Sequence, residues 1–229
     1  MTQTLSRPEK EPTQTPSSVS VQGVLDSLDF VGPVKHLFTV EQYQRMWDEK
    51  ILDHDKRYEL IEGEILEMTV NPPHRWATAM LTTLLAQKLA GKALISSQSP
   101  IDLPSSLNKP EPDVVVLPLE GLNRKEFAPD HIALLIEVSD STLRFDQNRK
   151  LKIYARYGLV EYWILNFPSR TLEQYHTPLR GGYKSKTTLE PGEPASSLTY
   201  PDLALEWWNA LFDETASSDT QDVSEGAED

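Results

Sequence analysis

Two apolar runs of strand length, each with a carboxylate at one end, constrain the fold of this chain most. In "EPDVVVLP", residues 111–118, Asp113 precedes the apolar run, and in "IALLIEVSD", residues 132–140, Glu137 follows it. Such runs predict buried strands, and an ionised carboxylate is costly to bury without a partner. If the two strands are neighbours in one sheet, the carboxylates can converge. Two oxygen ligands with positions left for water suit Mg²⁺ or Mn²⁺, which can polarise a phosphoryl oxygen.

Hydropathy patterns before these strands predict two helices and a hairpin. Thr39 is the expected N-cap of the first helix, whose apolar positions recur at helical spacing. Two alternating runs flank Glu62 and Gly63, which favours a tight hairpin turn. A long helical pattern follows the proline pair at 72–73 and is expected to close with Gly91 as its C′ residue.

The rest of the chain is typical of a sheet interrupted by one helix. Ser141 or Thr142 can cap that helix, and Gly158 can end it. Strands are predicted over residues 93–97, 99–103, 113–118, 132–138, 160–167, 171–177 and 181–189, with a short helix or turn over 204–212. The central order of helix, three strands, helix and strand predicts an α/β fold. It has a central mixed sheet flanked by helices, preceded by a helix and a β-hairpin.

Composition divides the chain into a folded middle and two polar ends. Residues 1–35 are rich in Pro, Ser, Thr and Gln, and residues 212–229 are acidic, so we expect both to be disordered and 36–211 to form one domain. The chain has no cysteine, which excludes disulfides and a cysteine nucleophile. With no apolar signal core and no run near the roughly 20 apolar residues of a membrane span, a cytoplasmic location without membrane contact is expected.

Charge is distributed unevenly along the chain. The net charge of −13 argues against a general nucleic-acid coat protein, but residues 213–229 alone hold seven acids and no base. The helix predicted after residue 141 instead concentrates bases, namely Arg144, Arg149, Lys150, Lys152 and Arg156. A basic helix beside two carboxylates suits a phosphodiester backbone, because cations can neutralise phosphates while carboxylates hold a metal. Lys150 follows Asp146 by four residues on one helix face, where it could stabilise an anionic transition state or orient water.

The order of these motifs resembles a known nuclease family. Pro112 and Asp113, then Glu137 twenty-four residues later, then a lysine, are similar to the PD-(D/E)XK nuclease signature. The blocks "YELIEGEILEM", "HRWATAMLTTLLAQKL", "EPDVVVL", "LLIEVSDST" and "DQNRKLKIYARYGLVEYWIL" resemble the Uma2 family of endonucleases. This resemblance implies a restriction-endonuclease-like fold and metal-dependent hydrolysis of phosphodiester bonds, with DNA as the substrate.

The resemblance also implies roles for individual residues. Asp113 and Glu137 would bind the metal ion. Ser139 stands at the usual place of the motif lysine, and the lysine of this family is moved to the following helix, where it would be Lys150.

Four further positions are compared with the family. Asp146 and Glu59 match acidic positions, and Glu59 could help to hold the metal. His74 matches a polar position at the start of the long helix. Asp140 departs from the family, which commonly has proline there, and therefore adds a charge beside the expected site.

Each of these residues also has a structural interpretation. Asp113 could simply begin a strand, Glu137 could pair with a surface cation, and Glu59 could pair with a lysine across the hairpin. Asp146 and Lys150 could be an ordinary ion pair on one helix, and the bases of that helix could simply form a solvated face. His74 could make a local hydrogen bond at the helix start. The aromatic side chains expected in the core are Tyr154, Tyr162, Trp163 and Trp207.

Two other functions are compatible with the same sequence. The lysine missing from its usual position and the acidic balance fit a catalytically inactive nuclease-fold module that binds nucleic acid or a protein partner. Nuclease folds of this class often act as dimers, so the apolar segments at 160–165 and 206–212 are candidates for a homodimer interface.

Overall fold

A six-stranded mixed sheet with a helix packed on each face forms the centre of the structure. The computed structural model describes residues 34–69, 71–122 and 127–203, and its described residues from Leu37 onward belong to one compact unit. The predicted acidic tail, the element predicted at 204–212 and nearly all of the predicted N-terminal segment lie outside the described residues. None of the described helices is both long and apolar enough to cross a bilayer.

The elements follow the predicted order. They are helix α1 (Val40–Asp48), strands β1 (Arg57–Ile61) and β2 (Glu64–Met68), helix α2 (Pro72–Lys88), and strands β3 (Ala93–Ser97), β4 (Val114–Pro118) and β5 (Leu134–Ser139). Helix α3 then has an α-helical turn Leu143–Phe145, a π-helical segment Asp146–Lys150 and an α-helical segment Leu151–Arg156. Strands β6 (Glu161–Asn166), β7 (Thr171–Leu179) and β8 (Gly182–Leu189) complete the sheet.

The strand order of the sheet is β3-β4-β5-β6-β7-β8, and β1 and β2 form a separate hairpin. Strands β5 and β6 are parallel, and all other neighbours in the sheet are antiparallel. A parallel pair needs a long crossover connection, and α3 provides it. The predicted α/β fold with a central mixed sheet, flanking helices and a preceding helix and hairpin is therefore confirmed.

The two faces of the sheet are covered by different helices because strand residues alternate between them. On one face, α2 packs through Ala77, Leu81 and Leu85 against a cluster that includes Val116, Ile136 and Trp163. On the other face, α3 packs through Leu151, Ile153 and Tyr154 against a cluster that includes Val115, Leu135 and Tyr162. The expected core positions of Tyr154, Tyr162 and Trp163 are thus confirmed, whereas Trp207 lies outside the described residues.

The helix caps follow the sequence closely. Thr39 caps α1, as predicted, in a capping box with Gln42. Gly158 follows Tyr157, the C-cap of α3, and has a left-handed conformation. Helix α2 is capped by Asn71 and has its C-cap at Leu89. Its C′ residue is therefore residue 90, and Gly91, which was predicted to be C′, lies one residue further on.

The strand predicted over residues 99–103 is wrong. This segment is irregular, although Ile101 and Leu103 are buried, and the amide of Ile101 donates to the carbonyl of Pro110. Pro100 within the segment and Pro104 directly after it lack the N–H groups that a strand ladder uses, so apolar alternation there reflects burial of a loop rather than pairing.

The hairpin turn at Glu62 and Gly63 lies directly against the start of the folded unit. Both residues have positive φ angles, 51° and 79°, as in a type I′ turn. The carbonyl of Gly63 accepts from the amide of Phe38 at 2.8 Å, and a Cβ added to Gly63 would lie 2.6 Å from the Cβ of Leu37. This close approach explains why glycine occupies the second turn position.

We expect Gly63→Ala to destabilise the protein more than Gly91→Ala. Both glycines have positive φ, which costs a non-glycine residue about 1–2 kcal/mol, but an added Cβ at Gly91 has no heavy atom within 4 Å. The difference between the two variants therefore reports the contact with Leu37. Urea unfolding of both variants would measure it, and equal losses of unfolding free energy would contradict the expectation.

Candidate functional site

Asp113 and Glu137 face each other across β4 and β5. The antiparallel register pairs Val114 with Ile136, so the next position places Asp113 opposite Glu137. Asp113 directly precedes β4, whereas β5 continues through Glu137 to Ser139. The sequence analysis therefore correctly predicted that the two carboxylates converge, but Glu137 lies inside its strand rather than at the end. Both side chains are buried.

Lys150 joins Glu137 to a second carboxylate, Glu59. Its Nζ atom donates to Oε1 of Glu59 and to Oε1 of Glu137, each at 3.0 Å. All three side chains are at most 3 % exposed, so this is a buried ion-pair network that links β1, β5 and α3. The surface-cation interpretation of Glu137 and the cross-strand interpretation of Glu59 are wrong, because the partner of both is this buried helix lysine.

Asp146 is buried near Lys150 but is not its hydrogen-bond partner. Asp146 Oδ2 accepts from Ser139 Oγ at 2.6 Å and from Thr142 Oγ1 at 2.7 Å. Ser139, which stands at the usual place of the motif lysine, thus binds the aspartate instead. Asp146 and Lys150 are the first and last residues of the π-helical segment of α3, and such segments are frequent at functional sites. The ordinary helix-pair interpretation is therefore wrong.

His74 lies against Asp113 from the amino end of α2. Its Nε2 atom is 3.1 Å from Asp113 Oδ2, which also accepts from the amide of Val138 at 2.9 Å. The backbone amide of His74 donates to Asn71 Oδ1 at 2.9 Å, so the expected local hydrogen bond is present as well. Asn71 Nδ2 in turn donates to Asp140, which ties the amino end of α2 to the loop after β5.

The site holds more negative than positive charge. Burial raises the pKa of Glu137 well above its ordinary value. The charge of Lys150 opposes this rise, and the charges of Asp113, Asp146 and Glu59 add to it. Burial likewise raises the pKa of Glu59. For Lys150, burial would lower the pKa, but the surrounding carboxylates raise it well above its ordinary value. The single ammonium group of Lys150 therefore offsets the charge of several carboxylates only in part. The remaining negative charge attracts a further proton or cation.

Asp113 differs from the two glutamates because it has more donors around it. Burial opposes its ionisation, yet the hydrogen bond and charge of His74, the charge of Lys150 and the Val138 amide lower the pKa of Asp113 overall. It is therefore ionised at neutral pH and available to a cation.

The side chains of the site line one cleft. Glu59, His74, Asp113, Glu137, Asp140, Asp146 and Lys150 line it together with Arg57, Met68, Thr69, Asn71, Val138, Ser141 and Thr142. The structure thus brings together every catalytic and metal residue that the sequence predicted, with His74 and Asp140.

The donor set of the cleft fits a hard divalent cation. The described residues contain no ready-made cluster of three or more metal-ligating side chains. However, Mg²⁺ is commonly held by one or two carboxylates and several waters, which Asp113 and Glu137 can match. In addition, Oε2 of Glu59 is buried without a hydrogen-bond partner among the described residues. A buried oxygen of this kind is unfavourable unless a proton or cation compensates it.

Apart from Lys150, the basic residues of α3 do not line the cleft. Arg144, Lys152 and Arg156 are exposed and lie at spacings of four and eight, whereas Asp146 and Lys150, which line the cleft, are buried on the other side of the helix. None of these three exposed cations has an ion-pair partner within the described ranges. They form an outer basic stripe, as expected for a solvated face or for contact with a long polyanion.

Arg149 is engaged with the β1–β2 hairpin instead. Its Nε donates to Glu62 at 3.2 Å, its Nη1 donates to Glu64 at 2.8 Å, and its Nη2 donates to the carbonyl of Ile61 at 3.2 Å. Arg149 and Lys150 are neighbours in sequence, and both attach α3 to this hairpin.

Two residues of the site, Tyr154 and Arg57, were not predicted from the sequence to belong to it. The hydroxyl of Tyr154 donates to Glu137 Oε1 at 2.7 Å, so this core aromatic also orients a site carboxylate. A signal was present for each residue. Tyr154 follows Lys150 by four residues on α3, and Arg57 precedes Glu59 by two residues on β1, so each shares a face with a predicted site residue.

Comparisons with known proteins identify a family and a similar fold. The model of the Uma2 family, described as "Putative restriction endonuclease", matches residues 40–207. The fold is similar to the crystal structure of "a putative nuclease belonging to DUF820" from Anabaena variabilis ATCC 29413, with a TM-score of 0.58 and 14 % identity. That similarity covers 78 % of this chain and 99 % of the other. No curated protein gives a significant match.

We expect Lys150→Met to destabilise the protein strongly at neutral pH. Removing one partner of a buried ion pair typically costs about 3–5 kcal/mol, because the remaining charge has no partner. Glu59 and Glu137 have raised pKa values, so the folded state holds their protons more tightly than the unfolded state does. The stability of K150M should therefore increase as the pH falls from neutral toward the ordinary range of a carboxyl group.

Urea unfolding at neutral pH and at about pH 5 would measure both effects. Lys152→Met is the matched control, because it removes the same charge from the exposed side of α3. Equal stability of K150M and K152M at neutral pH would contradict the proposed importance of the buried network.

Proposed function

Because the chain belongs to the Uma2 family, we propose that it is a divalent-metal-dependent endonuclease that hydrolyses phosphodiester bonds of DNA. The observation that carries this proposal is the facing pair of Asp113 and Glu137 with the Lys150 ammonium beside it. Two carboxylates and a lysine at the edge of one cleft are the groups that metal-assisted phosphoryl chemistry needs.

Asp113 and Glu137 would hold Mg²⁺ or Mn²⁺, and the free oxygen of Glu59 would add negative charge beside them. When bound, such an ion supplies Lewis acidity, which polarises a phosphoryl oxygen and lowers the pKa of a bound water. The excess of negative charge in the cleft supports this assignment, since it is costly to the protein without a counter-ion.

The other side chains of the cleft would orient the reacting groups. Lys150 remains protonated because its pKa is raised, so it can donate to an anionic transition state or to the attacking water. Tyr154 holds Glu137 through its hydroxyl, and His74 holds Asp113. Asp146 accepts hydrogen bonds from Ser139 and Thr142 and thereby fixes the start of α3 relative to β5.

The outer basic stripe of Arg144, Lys152 and Arg156 would contact DNA phosphates away from the cleaved bond. Its exposure and its lack of ion-pair partners among the described residues support this role. Arg149 would contribute less, because its guanidinium already donates to Glu62, Glu64 and Ile61.

A second candidate function is DNA binding without cleavage. It is favoured by the position of Lys150, which already neutralises Glu137, a proposed metal ligand. Metal binding separates the two functions, because a silent module does not need the cation.

We expect Asp113→Asn and Glu137→Gln each to abolish Mn²⁺ binding in calorimetric titration and DNA cleavage in Mn²⁺. Each substitution keeps the shape of the side chain and removes its charge. Glu161→Gln is the matched control, since Glu161 is a buried carboxylate of the same sheet that accepts from Trp163 and Ser197 and does not line the cleft. E161Q should bind the ion and cleave DNA like the wild type.

Two results would count against the endonuclease. Cleavage by purified E137Q at the wild-type rate would remove Glu137 from the mechanism. Wild-type protein that binds DNA but neither binds Mn²⁺ nor cleaves would support the silent module.

A further inference from the structure

Among the described residues, Arg57 is the one permanent cation lining the cleft that the buried ion-pair network leaves available. Lys150 is only 3 % exposed and lies between two carboxylates, whereas the side chain of Arg57 is 25 % exposed. Both residues line the cleft, and Arg57 extends from the same face of β1 as Glu59. A substrate anion entering the cleft therefore meets Arg57 before it meets Lys150.

The guanidinium of Arg57 has unused donors. Only its Nη2 atom has partners among the described residues, the main-chain oxygen of Glu111 at 3.5 Å and Oε2 of Glu111 at 3.6 Å. Both distances exceed the usual range of about 2.7–3.2 Å. A guanidinium carries five N–H donors, so most of them are free to bind an anion. Glu111 therefore holds the guanidinium of Arg57 in place and leaves most of its donors unused.

The cleft offers an anion few other donors. The first turn of α2 borders it, but Pro72 and Pro73 have no N–H group, and the amide of His74 is used by Asn71. The helix end therefore lacks the free amides that commonly bind phosphate. The acidic side chains that line the cleft are Glu59, Asp113, Glu137, Asp140 and Asp146. This acidic lining repels a phosphodiester, and the positive charge of Arg57 offsets part of that repulsion where the cleft is exposed.

We propose that Arg57 binds a non-bridging oxygen of a substrate phosphate at the mouth of the cleft, and that Glu111 positions its guanidinium. The planar fork of arginine can donate two parallel hydrogen bonds to a phosphate, which fixes orientation as well as charge. This inference rests on the proposed nuclease function, because it names a substrate contact of the same cleft.

The test compares Arg57→Ala and Arg57→Lys with Lys56→Ala. Lys56 is the matched control, since it is the neighbouring cation, pairs with Glu67 at 2.9 Å and does not line the cleft. Binding of a short DNA duplex is measured by fluorescence anisotropy over a range of salt concentrations, and cleavage kinetics are measured in Mn²⁺.

We expect R57A to raise both Kd and KM about tenfold, with a smaller change in kcat, because it removes a charge-assisted contact made throughout the reaction. The slope of log affinity against log salt should fall by about one for R57A. R57K should keep that slope while losing part of the affinity. K56A should match the wild type in Kd and KM.

The outcomes separate this inference from the proposed function. Equal Kd, KM and salt slope for R57A and K56A would overturn the role of Arg57 even if the wild type cleaves DNA. A wild type that binds DNA without cleaving it would exclude the proposed endonuclease activity. The comparison of DNA binding by R57A and K56A would still decide the role of Arg57. A wild type that neither binds nor cleaves overturns both. A merely structural role is excluded if R57K melts like the wild type and still binds more weakly.

Discussion

The buried ammonium group of Lys150 is the interaction on which the rest of the structure depends. Glu59 and Glu137 are both buried, and neither could be ionised there without it. The hydrogen bonds of this one group join the hairpin, the central sheet and α3. Because its partners lie 91 and 13 residues away in sequence, the network forms only when all three elements have docked. The cleft is therefore assembled by tertiary packing rather than by a local motif.

The buried charges of the cleft do not serve the stability of the fold alone. A core selected for stability alone would pair each buried carboxylate or replace it with an apolar side chain. Here Glu59 retains an oxygen without a hydrogen-bond partner in the described part of the chain, and the pKa of Glu137 is raised by burial and by its acidic neighbours. Unbalanced buried charge of this kind is typical of functional sites, where it is available for a ligand.

Much of the fold could be predicted from the sequence, because helix caps and apolar periodicity act over a few residues. Thr39 and Gly158 mark helix ends through local backbone chemistry, and Gly63 marks the hairpin turn in the same way, although its contact with Leu37 is not local. The strand expected at 99–103 failed because burial of Ile101 and Leu103 imitates strand alternation. The site was harder to predict, since the Lys150 and Glu59 contact spans the chain, and only the family resemblance placed the two residues together. The resemblance assigns no role to Arg57, and the role proposed for it depends on the donors that Glu111 leaves unused.

The hairpin illustrates how site assembly and folding are coupled. A two-stranded hairpin is marginally stable alone, so β1 and β2 need partners elsewhere in the fold. Two adjacent residues of α3 supply them, because Arg149 binds the turn region and Lys150 binds Glu59 in the strand. The face of β1 that docks in this way carries both Glu59 and Arg57. Docking of one element thus delivers both an acid, Glu59, and a cation, Arg57, to the same cleft, so loosening the hairpin would disturb both.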